Sequence, residues 1–159
     1  MTQPATACLR YEHLIRINEP SLTPAYWLTR QQLWEGLKHT VLTPQSMDES
    51  IDGTTLLELS PQTVRREIRR GPRVNVDEVS LVAERSLTVR SAEVEFGGST
   101  LTLRIEEPEP NMLFVRFVYE LFGLTEPRNE EEDNARRSAY QAADIERIRA
   151  VRRYAGRMH

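Results

Sequence analysis

At 159 residues the chain has an ordinary single-domain length, enough to bury roughly 70% of its unfolded surface without disulfides or a structural metal. The formal net charge is −3, Lys38 is the only lysine, and the arginines are interleaved with carboxylates rather than gathered in a stripe, which argues against a nucleic-acid partner. Cys8 is the only cysteine and no apolar run approaches the roughly 20 residues that span a bilayer, so the expectation is a cytoplasmic protein with no membrane span and no secretory leader.

Residues 1–7 carry no periodicity and read as a flexible tail ahead of one domain over 8–157. From Leu9 to Ile17 the odd positions Leu9, Tyr11, His13, Ile15 and Ile17 form one apolar face of a strand, which turns His13 inward. A helix then starts at Thr29. Gln32 stands three residues beyond it as the partner of a capping box, and Leu28 with Leu33 matches a hydrophobic staple. Leu33, Trp34 and Leu37 give this helix a narrow apolar face. Gly36 within it marks either a close backbone approach or a short helix.

Four further strands follow over Ile51–Leu59, Val64–Arg70, Val74–Ala83 and Arg85–Val94, separated by turn residues, with Phe96-Gly97-Gly98-Ser99 as a tight turn. The stretch from Ser99 to Phe122 holds two alternating runs. Leu101, Leu103 and Ile105 share one side of the first, and Leu113, Val115, Phe117, Tyr119 and Leu121 share one side of the second. Pro108 to Asn111 between them reads as the loop of a long antiparallel hairpin.

The chain ends in a helix of about 27 residues, roughly 40 Å long, capped by Asn129, acidic over Glu130–Asp133 and basic towards Arg157. Its apolar stripe reads as Ala135, Ala139, Ala142, Ile145, Ile148, Val151 and Ala155. The order is one strand, a short helix, six strands and a long helix. It predicts an α+β helix-grip fold, in which a curved seven-stranded antiparallel sheet wraps the terminal helix and leaves a ligand cavity between them.

Three motifs in order, Tyr11-Glu-His-Leu-Ile-Arg-Ile-Asn, Leu28-Thr-Arg-Gln-Gln-Leu-Trp-Glu-Gly-Leu and Leu103-Arg-Ile-Glu-Glu-Pro-Glu-Pro, resemble the AtaL-like (DUF1857-type) group of the START/Bet v 1-like (SRPBCC) superfamily. That superfamily includes lipid and hormone carriers, aromatic-polyketide cyclases and chaperone regulators. The resemblance implies a hydrophobic cavity and does not by itself imply a reaction.

The expected function is binding of a small apolar or aromatic ligand, with Tyr11, His13, Trp34, Arg66, Leu101, Leu103, Val115, Phe117, Tyr119, Ile145 and Ile148 lining the cavity. The alternative is a polyketide cyclase or dehydratase with His13 and Tyr119 as acid-base groups. Arg66 lies on the inward parity of its strand, where it either meets a ligand anion or is paired at the rim. No glycine pattern for a nucleotide and no metal-ligand spacing is present, so no cofactor and no metal are expected. Leu14, Phe114 and Val118 fall on the outward side of neighbouring strands, as a homodimer contact would require.

Overall fold

The computed structural model describes residues 7–21, 23–91, 98–124 and 129–156. Residues 1–6 of the expected tail, the end of the fifth expected strand and the Phe96-Gly97 half of the glycine turn lie outside the described residues, whereas Ala7 already opens the first strand. Strand β1 (Ala7–Arg16) is followed by helix α1 (Arg30–Leu42). Strands β2 (Gly53–Leu59), β3 (Thr63–Arg70), β4 (Arg73–Val82), β5 (Ser86–Ser91), β6 (Ser99–Glu109) and β7 (Met112–Leu124) come next, and helix α2 (Glu130–Gly156) ends the fold. The seven strands form one antiparallel sheet in the order β1-β7-β6-β5-β4-β3-β2. First and last strands are therefore neighbours, and the two helices cover the inner face in the helix-grip arrangement that the element order predicts.

Both helix starts follow their sequence signals. Thr29 Oγ1 accepts from the Gln32 amide at 3.0 Å while the Gln32 side chain accepts from the Thr29 amide at 2.9 Å, closing the capping box. Asn129 Oδ1 accepts from the amides of Glu131 and Glu132 and so caps α2. The long hairpin is tighter than its sequence suggests. β6 runs on through Pro108 to Glu109, which pairs with Met112, so only Pro110 and Asn111 form the turn. A register shift between Glu106 and Glu109 absorbs Pro108 at a bulge, where a missing amide costs no ladder bond. Asn111 then takes a positive φ of 68°, the Pro-then-left-handed order of a type II turn.

Asn18, fully buried, locks this hairpin to the start of α1. Its amide donates to Leu28 O at 2.9 Å and Asn111 O at 2.7 Å, and its oxygen accepts from Leu28 N at 2.9 Å.

Gly36 resolves as a close approach. A Cβ there would lie 2.6 Å from Val151 Cγ1 and 3.1 Å from Val151 Cα, so α1 and α2 cross where α1 has no side chain. Gly36→Ala should lower stability by about 1–2 kcal/mol in urea unfolding, because overpacking at the crossing outweighs the gain in helix propensity. A rise in stability would mean that the helices do not meet at this point.

The outer face corrects one expectation. Leu14 is exposed, but Phe114 is half-buried with the Arg16 guanidinium 5.5 Å above its ring, and Val118 is only 4% exposed. With Val118 buried, the outward apolar trio is not a contiguous exposed patch. Among the described residues no helix is long and apolar enough to cross a membrane.

Candidate functional site

The inner face is built from cross-strand rows. Tyr11, Tyr119, Leu101, Val89, Val79 and Val64 lie side by side on β1, β7, β6, β5, β4 and β3. The adjacent row carries His13, Phe117, Leu103, Leu87 and Leu81. Leu103, Val115 and Phe117 are at most 1% exposed, and Trp34 and Ile148 are also buried, so these five expected cavity residues belong to the packed core. Tyr11, Leu101 and Val89 keep partial exposure on the same face, and Tyr140 of α2 joins them.

The terminal helix presents only the second part of the stripe expected of it, Ile148, Val151 and Ala155. Ala135, Ala139, Ala142 and Ile145 are exposed, Ile145 to 46%, so Ile145 is not a cavity residue. The face turned to the sheet carries Asp133, Tyr140, Asp144, Arg147, Ile148, Val151 and Ala155. Alanine gains little from burial. Here Asp144 and Tyr140, which have partners on the sheet, take the inner face in its place.

Asp144 is the centre of that face. It is fully buried; Tyr119 Oη donates to its Oδ1, and His13 Nε2 lies 2.8 Å from its Oδ2. A carboxylate can only accept, so the imidazole presents Nε2–H to Asp144 and leaves Nδ1 for another partner. Burial pushes the Asp144 carboxyl above its ordinary range, against the lowering effects of the Tyr119 hydrogen bond, the Arg147 charge and His13. Burial likewise pushes the Tyr119 phenol far up, reinforced by the Asp144 charge and hydrogen bond, so it is a donor at every working pH.

Aromatic rings surround this centre. Tyr119 and Tyr140 stack with centroids 3.9 Å apart and planes 8° from parallel, His13 lies 5.3 Å from Phe117, and Tyr11 is 6.3 Å from Tyr140. Gln141 donates to the Tyr11 hydroxyl. His13 and Tyr119, expected in one cavity from strand order alone, are brought together. The residue joining them, Asp144, was not legible as a site residue, because on a helix dense in charge nothing separates an inward carboxylate from a solvated one. The spacing of Tyr140, Asp144, Ile148 and Val151 at helical intervals is the signal that could have found it.

Arg66 is engaged rather than free. Its Nε and Nη2 donate to Asp77 at 2.7 and 3.1 Å, and its Nη1 donates to Val41 O at 2.6 Å, in the last turn of α1. It therefore ties β3 and β4 to an otherwise orphaned helix carbonyl. Beside it a hollow of about 120 Å³ opens between α1 and the β2–β3 turn, lined by Val41, Leu42, Leu59, Val64 and Leu81 among others.

Residues 13–157 match the family model described as acetylaranotin biosynthesis cluster protein L, AtaL. The chain belongs to the AtaL family. The match covers both helices and nearly the whole sheet, including His13, Tyr119 and Asp144.

A comparison with curated protein sequences finds no match. Among solved structures, the di-domain ARO/CYC StfQ from the steffimycin biosynthetic pathway aligns with a TM-score of 0.72 at 8% identity, over 95% of this chain and 52% of that one. The chain thus spans about half of that di-domain structure. A Staphylococcus aureus protein of unknown function, SA2116, aligns at 0.64 with 13% identity over 98% of each chain. The Zhui aromatase/cyclase from Streptomyces sp. R1128 aligns at 0.57 with 16% identity over 95% of each. At these identities the likeness establishes the helix-grip fold of the AtaL family member and no more.

Proposed function

We propose that this AtaL family protein binds a small apolar or aromatic molecule on the inner face of its sheet, against Val89, Leu101 and the ring faces of Tyr11, Tyr119 and Tyr140. The observation that carries the reading is the cluster of partly exposed aromatic and aliphatic side chains around a single buried polar centre. Apolar walls with a few fixed polar groups are how small-molecule sites combine affinity with orientation. Stacked tyrosines add edge and face contacts suited to a flat ligand. The fold shared with two aromatase/cyclases supports the same reading.

Native mass spectrometry of the purified protein tests it. An adduct of lipophilic character, displaced by an added apolar probe, is the expected result; failure to carry or take up any apolar molecule would overturn the reading.

One observation favours a second reading, that of a cyclase or dehydratase. His13 is oriented by a buried carboxylate and keeps Nδ1 available to take or give a proton at a ligand carbonyl. In that reading Tyr119, whose proton is committed to Asp144, is a positioning residue rather than the acid. Turnover that survives His13→Ala would remove this reading and leave the first intact.

A further inference from the structure

Among the described residues two buried side-chain polar atoms lack a hydrogen-bond partner, Ser46 Oγ and Arg147 Nε, and Arg147 is the charged one. It is 8% exposed, and its Nε has no hydrogen-bond partner among the described residues. Among the described residues its one hydrogen bond runs from Nη1 to Thr40 Oγ1 at 3.5 Å, the outer limit for such a bond, and Thr40 spends its own proton on Leu37 O at 2.7 Å. The two carboxylates near it are committed elsewhere. Asp144 accepts from Tyr119 and His13, and Asp77 is held at both oxygens by Arg66. Both lie close enough to act on Arg147 through their charge, yet neither forms an ion pair with it.

A guanidinium offers five donors in a planar fork that matches a carboxylate at two points. Leaving such donors unused in a buried place is costly, and among the other described residues only Ser46 Oγ bears that cost. Arg147 stands on α2 one turn from Asp144, across from Thr40 of α1, and within reach of the Tyr119 end of the aromatic cluster.

We propose that Arg147 anchors the carboxylate of the ligand, which makes the ligand class a small aromatic or alicyclic acid. The inference rests on the binding reading above and adds the charged end to it. The rings of Tyr119 and Tyr140 take the apolar body, and Arg147 receives two oxygens that Asp144 and Asp77 cannot supply. Arg66 does not compete for them, since its own fork is filled by Asp77 and Val41 O.

Isothermal titration with a matched pair of probes, 2-naphthoate and the neutral 2-naphthylmethanol, tests the assignment on the full chain. The wild type should bind the acid at least tenfold more tightly than the alcohol. Arg147→Met should remove that preference, weakening the acid at least tenfold and leaving the alcohol within about twofold. Arg147→Lys, which keeps the charge and loses the fork, should fall between them. Equal wild-type affinity for the two probes overturns the anchor without any variant, and so does a loss in Arg147→Met that is the same for both. Binding of the alcohol with no preference for the acid would sink the anchor alone, whereas binding of neither would sink the site reading with it.

Discussion

Asp144→Ala should lower the unfolding free energy by about 3–5 kcal/mol, because removing one member of a buried charged network strands the others. Tyr119 would keep a buried hydroxyl with no acceptor, His13 would lose the group that sets its ring, and Arg147 would lose one of the two carboxylate charges that balance it. Asp144→Asn should cost less, about 1–2 kcal/mol, since an amide offers one acceptor and one donor and the imidazole can change tautomer to meet it. Urea unfolding of both variants checks the order.

The pH dependence has a definite sign. Burial raises the Asp144 carboxyl in the folded state, so the native protein holds that proton more tightly than the unfolded chain does. Its contribution is full below the unfolded value of about 3.9 and is lost as pH rises through the higher folded value. The advantage of wild type over Asp144→Asn should therefore grow as pH falls from 7. Asp48 and Glu106 act in the opposite sense. Ser50 and Arg70 hold Asp48 low against the raising effect of burial, and Arg116 holds Glu106 low, so their contributions are lost as the pH falls. An Asp144→Asn penalty that shrinks on acidification would contradict the raised carboxyl.

Arg66→Met should cost a similar amount, about 3–5 kcal/mol, because it leaves the Asp77 carboxylate buried without its partner and Val41 O without a donor. The double variant Arg66→Met with Asp77→Leu should regain more than half of that loss. What dominates the single change is the stranded charge rather than the net worth of the pair. Full recovery is not expected, since the helix carbonyl stays unpaired. A double variant no more stable than the single one would show that the Arg66–Asp77 pair itself, and not the stranded carboxylate, carries the energy.

These two networks mark where sequence reading reached its limit. Alternation placed Tyr11, His13, Phe117 and Tyr119 on one face correctly, because a period of two leaves no choice of side once a strand is recognised. Thr29 and Gln32 announced α1 by chemistry that works within four residues. On helix α2 the apolar periodicity held for Ile148, Val151 and Ala155 but not for the first half, where Ala135, Ala139, Ala142 and Ile145 face out and Asp133, Tyr140, Asp144 and Arg147 turn inward. The stabilisation of an inward carboxylate comes from partners on β1 and β7 that are distant in sequence, and no local pattern encodes them. Arg66 was ambiguous for the same reason, since Asp77 reaches it only through the β3–β4 register. Pro108 misled in a smaller way, through a bulge that lets a strand continue past proline.

In the proposed site a small aromatic molecule sits on the inner face beneath the middle of α2. Methyl-resolved NMR during titration with 2-naphthylmethanol tests it most directly. Val89 is on the inner face with Leu101 beside it, while Val74, Val76 and Val82 are exposed on the outer parity of β4. Saturable shifts are expected at Val89 and Leu101, with Val74, Val76 and Val82 unmoved. Shifts confined to the β4 methyls, or none at Val89 and Leu101 at saturation, would contradict it.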